Sequence, residues 1–136
     1  MKTQHYDGSR LYLYAGQLPV DETVKRLEAL LQEKNIPVFA KFDHALNASQ
    51  VGLDLRPTTV LVFGSPQVGT GLMQADPSIS LDLPLRISVW EDEAGSTWLA
   101  FPKTAKMAEA YGLENHPVIP KMEALMESLV QTAGRP

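Results

Sequence analysis

A β-hairpin in the second half of the chain is the strongest constraint on the fold. Leu85 to Glu91 and Thr97 to Phe101 are strand-like segments on either side of an acidic turn, Asp92 to Ser96, which contains Gly95. A short polar turn with a glycine joins neighbouring antiparallel strands. The sequence therefore predicts an antiparallel sheet in which these two segments are adjacent.

Other segments with apolar periodicity supply the remaining elements. Alternation of apolar and polar residues predicts strands, and a single apolar stripe at helical spacing predicts helices. Asn35 is expected to end the first helix in a left-handed conformation, and Pro37 prevents its continuation. Most links between strands are short, which favours an α+β fold: an antiparallel sheet of about five strands in β-α-β-β-β-β-α order, with helices packed on one face. The predicted elements are strands at Ser9 to Ala15, Val38 to Asp43 and Thr58 to Phe63, helices at Val20 to Lys34, Thr104 to Tyr111 and Pro120 to Thr132, and a connection over His44 to Pro57 with one helical turn.

Composition limits the classes of function. With 136 residues, 44% of them apolar and 21% charged, the chain is expected to fold as a single domain over residues 1–136. A net charge of -4 without a basic stripe argues against nucleic acid as a partner. The chain has no cysteine, and its first residues lack the apolar stretch of a signal peptide. We expect a cytoplasmic protein that does not enter a membrane.

The glycine-rich stretch from Gly64 to Gly71 admits two interpretations. Gly64 and Gly69 have the spacing of a phosphate loop, but Thr70 stands where that loop requires lysine, which argues against nucleotide chemistry. Ser65 and Pro66 are a favourable N-cap and first helical residue. Free amides at this helix start could bind a small anion. Alternatively, Gly64 provides a bend and Ser65 caps a short helix, which is the more common arrangement.

Several motifs around this stretch resemble the bacterial family called domain of unknown function 302. The resemblance covers roughly Leu11 to Gly112 and implies a small domain with a twisted antiparallel sheet and helices on one side. It implies no settled activity. The motifs are His44, Ala45, Ala48, Val51-Gly52-Leu53, Leu55-Arg56-Pro57-Thr58, Phe63-Gly64, Pro66, Gly69-Thr70, Leu72-Met73, Asp82-Leu83-Pro84-Leu85 and Val89-Trp90-Glu91.

The side of the sheet without helices is the main candidate surface. If Leu85, Ile87 and Val89 face the helices, then Arg86, Ser88 and Trp90 face away. By the same alternation we expect Tyr12 and Tyr14 on the uncovered side, together with Lys41. A trough lined by Tyr12, Tyr14, Lys41, Arg86 and Trp90 would suit a second subunit or a small anionic or amphipathic molecule. The second ligand-binding candidate is the loop with Gly64, Ser65, Gly69 and Thr70.

Signals for catalysis are weaker than signals for binding. His44 follows a predicted strand and could act as a general base, with Arg56 binding an acidic substrate. The competing interpretation is that His44 forms hydrogen bonds that cap the connection. The histidines lack the spacing of a metal site, so we expect neither a metal nor another cofactor. The sequence favours a non-enzymatic module for ligand binding or protein interaction, expected to form a homodimer, with the His44 and Arg56 enzyme as the alternative.

Overall fold

Five strands form an antiparallel sheet in the computed structural model, which describes residues 10–136. Ser9, the first residue of the predicted first strand, lies outside the described residues. Each strand pairs antiparallel with its neighbours, and the order across the sheet is β1-β5-β4-β3-β2. The strands are β1 (Leu11–Gly16), β2 (Val38–Asp43), β3 (Thr58–Phe63), β4 (Leu85–Glu91) and β5 (Thr97–Pro102).

Two long helices cover one face of this sheet. They are α1 (Val20–Glu33), which contacts β3 and β4, and α5 (Val118–Ala133), which contacts β1 and β5. The predicted α+β class is therefore confirmed. The shorter elements are α2 (His44–Gln50), α3 (Pro66–Ala75), α4 (Thr104–Glu109) and a 3₁₀ helix (Pro77–Asp82).

Local signals explain where α1 begins and ends. Its apolar stripe, which includes Val24, Leu27 and Leu31, is buried against the sheet. In the first turn Thr23 Oγ1 donates a 2.9 Å hydrogen bond to the carbonyl of Pro19. At the other end Asn35 has a φ of 57°, as its residue type predicts, and turns the chain toward β2.

The apolar interior has two parts. The larger lies between the sheet and the two long helices, where Phe63, Ile87, Leu99 and Leu129 are among the buried side chains. The smaller lies at the end of the sheet where β3 stops and β4 begins. The partly buried Leu85 packs against both parts. The smaller part contains Leu72 of α3, Ile79 of the 3₁₀ helix, Ala108 of α4, and Ile119 and Met122 of α5.

Candidate functional site

The sheet face opposite α1 and α5, called the open face below, is almost free of charge. Ile87 and Val89 point to the helices, so the alternating residues of β4 face away, as predicted. The strand registers align the outward residues of all five strands in rows. Among these described side chains only Arg86 is charged. The open face consists of Leu11, Leu13, Ala15, Ala40, Phe42, Thr58, Val60, Val62, Arg86, Ser88, Trp90, Trp98, Ala100 and Pro102.

A pair of tryptophans lies at one end of the open face. Trp90 and Trp98 are directly opposite each other in the register of β4 and β5, and both are half-buried. Trp98 Nε1 donates a hydrogen bond to Asp92, and this bond, with those from the amides of Ser96 and Ala94, lowers the pKa of the Asp92 carboxyl. The Asp92 carboxylate is thus held in place by the amides of the hairpin turn, and it fixes the indole ring of Trp98.

The predicted orientation of Tyr12 and Tyr14 is wrong. In the register of β1 and β5, Tyr12 is opposite Phe101 and Tyr14 is opposite Leu99, so both tyrosines point toward the helices. Tyr12 stacks on Phe101 with ring centroids 5.1 Å apart. Alternation in the sequence separates the two faces of β1 but does not show which face α5 covers.

Hydrogen bonds from the C-terminal end of α5 favour Tyr12 and Tyr14 on the helix-covered side of the sheet. Gln131 Nε2 donates to the Tyr12 hydroxyl at 3.4 Å, and Arg135 Nε donates to the Tyr14 hydroxyl at 3.1 Å. The rings pack against the core while each hydroxyl has a partner at its edge. Their partners belong to the far end of the chain, so no local pattern identifies them.

Lys41 also lies on the helix side, contrary to the prediction. It is opposite the buried Leu61 in the register of β2 and β3, and its Nζ is 3.5 Å from Glu28 Oε2 of α1. Lys41 borders a cleft of about 490 Å³ that carries side chains of both charge signs, among them Asp21 and Lys25. Of the five residues of the predicted trough, the structure brings only Arg86 and Trp90 together on the open face.

His44 and Arg56 lie at opposite ends of an exposed segment, residues 44–57, which we call the arm. Asp43 Oδ1 caps α2 by accepting from the amide of Leu46 at 2.9 Å, so the cap is Asp43 and not His44. The His44 ring stacks on Phe42 with centroids 6.3 Å apart. Arg56 is exposed, and its carbonyl accepts from Thr58 Oγ1 at 2.9 Å. The contacts of the described residues do not join the two side chains in a common cleft.

Large apolar side chains are exposed mainly on β2 and the arm. Every residue of α2 is exposed or half-buried. Outside this region, Leu81 is the exposed large apolar side chain of the described residues. The sequence analysis did not identify this cluster of exposed apolar side chains, although the leucines and the valine of the arm are visible in the motif around Gly52. The exposed side chains are Val38, Phe39 and Phe42 of β2 and Leu46, Val51, Leu53 and Leu55 of the arm.

The glycine-rich stretch begins α3 and borders an apolar pocket of about 250 Å³. The predicted N-cap is confirmed, since Ser65 Oγ accepts from the amide of Val68 at 3.4 Å. The amide of Gly69 donates to the Ser65 carbonyl at 3.0 Å, and that of Gly64 donates to Pro37 at 3.2 Å. Gly64, Ser65, Gly69 and Thr70 all line the pocket, with Phe39, Pro66, Val68, Met73, Leu83, Pro84, Leu85 and Met122.

Two kinds of feature are absent from residues 10–136. No cluster of histidine and carboxylate side chains in this range has the geometry to hold a metal ion. Nor does any helix in this range combine the length and hydropathy needed to cross a bilayer.

Comparisons with known proteins identify relatives of this chain. The model of the family described as Domain of unknown function DUF302 matches residues 14–129. A crystal structure of an uncharacterized conserved DUF302 protein from Bacillus stearothermophilus superposes with a TM-score of 0.70 and 22% identity, over 91% of this chain and 94% of that one, which shows a shared fold. The fluoride-specific ion channels FluC 1 of Brucella suis and Brucella abortus are each 42% identical over 94 residues, 69% of this chain. The chain spans only 37% and 35% of the length of these two relatives.

Proposed function

The chain belongs to the DUF302 family, and we propose that it is a non-enzymatic interaction module that forms a homodimer through its open face and arm. The observation that carries this proposal is the distribution of exposed apolar side chains. In the described residues, those of large size are concentrated in sequence between Val38 and Leu55, with Phe42 on the open face itself and Leu81 apart from them. Large contiguous apolar patches on soluble domains mark interaction sites.

The arm has a defined backbone although its own chain buries little of it. Asp43 caps α2, and the amide of Leu53 donates to the carbonyl of Ala48 at 2.9 Å, which closes the turn through Gly52. Yet Leu46, Val51 and Leu53 remain 54%, 73% and 64% exposed. Fixing these residues costs conformational entropy that burial within one copy does not offset. A second surface packed on the arm would supply the missing apolar burial.

The open face has the charge pattern of a surface that meets a copy of itself. A two-fold interface must be self-complementary, because each patch contacts the same patch on the other copy. An uncharged apolar surface meets this condition, whereas a surface dominated by one sign of charge repels its copy. The chain carries a net charge of -4, but the outward strand residues contribute only Arg86. This difference favours a second copy of the chain as the partner.

The available area also fits a dimer. Five strands about 4.8 Å apart and about 20 Å long present roughly 500 Å² of projected area. A standard interface buries about 800 Å² on each partner. The exposed Val51, Leu53 and Leu55 of the arm add apolar area toward that value. The Trp90 and Trp98 pair, beside Thr58 where the arm rejoins the sheet, supplies aromatic side chains of the kind that dominate binding energy at interfaces.

The curated relatives support a modular role. In the two Brucella proteins that are named fluoride-specific ion channels, the matched region is about a third of the whole. A segment that forms one part of a longer protein is suited to holding copies or partners together. We therefore extend the proposal to such longer proteins, where the homologous region would bring two copies into contact.

Sedimentation equilibrium tests the proposal. We expect the wild type at micromolar concentration to have twice the 15.0 kDa mass of one chain. Phe42→Asp and Leu53→Asp should give monomers, because each places a carboxylate in the interface without a partner. Leu81→Asp is the matched control, since Leu81 is 80% exposed and lies outside this surface. A monomeric wild type, or equal dissociation by Leu81→Asp, would refute the proposed interface.

A further inference from the structure

We infer that the pocket beside Gly64 and Gly69 is a binding site for a small, neutral and largely apolar molecule. Four separate parts of the chain enclose it: the start of α3, the segment from Leu83 to Leu85, Phe39 of β2 and Met122 of α5. Phe39 is the one residue that this site shares with the exposed apolar cluster of β2 and the arm, and the substitutions that test the two proposals lie elsewhere, so the two proposals succeed or fail separately.

The chemistry of the lining argues against an anion. None of the described residues that line the pocket carries a charge. Two of the amides that could have faced an anion already donate to Ser65, that of Val68 to its hydroxyl and that of Gly69 to its carbonyl. An ion placed here would lose its hydration without gaining charged partners. The hydroxyls of Ser65 and Thr70 are the side-chain polar groups of the lining, enough to orient one hydroxyl or carbonyl group of a ligand.

Phe39 gives independent support for a ligand. The register of β2 and β3 shifts between Val38 and Ala40, so Phe39 occupies an irregular position in the strand. Such irregularities redirect a side chain and often occur beside functional sites. Here the side chain lines the pocket while remaining 53% exposed. An aromatic ring left half in solvent at a pocket mouth is available to cover a bound apolar molecule.

The volume sets the size of the ligand. An engineered apolar cavity of about 150 Å³ in another protein stays dry and binds benzene. The pocket of about 250 Å³ is larger, which by proportion corresponds to about ten non-hydrogen atoms. Met73 and Met122, which lie on its walls, have flexible side chains that adapt to different shapes. The geometry therefore fits a bicyclic ring system or a short branched chain.

Methyl NMR with indole as the probe tests the inference. Indole should shift the methionine methyl signals of Met73 and Met122 saturably, with a Kd roughly in the micromolar to millimolar range. The signals of Met107 and Met126, which do not line this pocket, should move much less. Inorganic phosphate should shift none of these signals, nor the amides of Gly69 and Thr70. Saturable binding of phosphate at those amides, or no response to indole, would overturn the inference.

Two glycines of α3 provide a matched pair of variants. A Cβ at Gly69 would lie 3.7 Å from Met73 Cε and 4.0 Å from Leu83 Cδ1, so it fits, and a longer side chain would extend into the pocket. A Cβ at Gly71 meets nothing within 4 Å. Gly69→Leu should weaken indole binding about tenfold or more, which is at least 1.4 kcal/mol. Gly71→Leu should leave the affinity within about twofold. Equal affinities would contradict the assignment, and Gly69→Ala, expected to weaken binding less, replaces Gly69→Leu if that variant does not fold.

Discussion

Trp98 Nε1 donates a 2.9 Å hydrogen bond to Asp92 Oδ2, which joins the second strand of the hairpin to the turn that precedes it. The other carboxylate oxygen of Asp92 accepts from the amides of Ala94 and Ser96, each at 2.9 Å. One ionised side chain therefore organises the turn and fixes an indole ring of the open face. Two consequences follow, one for the pH dependence of stability and one for the fluorescence of the open face.

The first prediction concerns the stability of the fold at low pH. Because the hydrogen bond from Trp98 and those from the turn amides lower the pKa of Asp92 in the folded state, its stabilising effect is present above the unfolded value of 3.8. The effect is lost as the pH falls through the lower folded value. Asp92→Asn should melt at a lower temperature than the wild type at pH 7, and the difference should shrink as the pH falls below 3.8 in melts followed by circular dichroism. Glu33→Gln, at an exposed position of α1 outside the proposed interface, is the control. A difference that does not depend on pH would contradict this role for the carboxylate.

The second prediction concerns the close contact between α5 and β1. A Cβ at Gly134 would lie 2.8 Å from Tyr14 Cε2 and 3.0 Å from the carbonyl oxygen of Val130. Gly134→Ala should therefore reduce the free energy of unfolding by about 1–3 kcal/mol. Gly71→Ala, inside α3 with open space around it, should increase it by about 0.5–1 kcal/mol. Urea titrations measure both changes, and two changes of the same sign would contradict the close contact at Gly134 or the open space at Gly71.

The third prediction separates the core from the arm. Leu27 is fully buried between α1 and the sheet, so Leu27→Ala should cost about 2–5 kcal/mol of unfolding free energy at any protein concentration. Leu53→Ala should cost less than about 0.5 kcal/mol in the dilute monomer. It should cost more as the protein concentration rises, since dimer formation stabilises the folded state by mass action. Melting temperatures measured over a wide concentration range check this. A large, concentration-independent loss in Leu53→Ala would show that the arm belongs to the core of one copy.

The sequence predicts most elements of this fold because their signals are local. The hairpin around Gly95, the apolar stripe of α1, the left-handed Asn35 and the Ser65 cap each depend on neighbouring residues, and the structure contains all of them. The 3₁₀ helix at Pro77–Asp82 escaped prediction because its buried Ile79 packs on helices that are distant in sequence.

The composition of the candidate site could be predicted only in part. Alternation identified the outward residues of β4, but the orientation of Tyr14 and Lys41 depends on Arg135 and Glu28, which come from other elements. The glycine-rich stretch was recognised as a candidate binding loop, yet the apolar character of its pocket comes from Phe39 and Met122, far from it in the sequence. Which surface a helix covers is decided by tertiary packing that periodicity does not encode.

Tryptophan fluorescence tests the central claim directly, because both tryptophans of the chain, Trp90 and Trp98, lie on the open face. Acrylamide quenching of their emission should be weak in the wild type at micromolar concentration, where a second copy covers the face. It should be strong in Leu53→Asp, whose substitution lies on the arm, and weak again in Leu81→Asp. Equal quenching in the wild type and Leu53→Asp would show that the open face is not an interface between two copies.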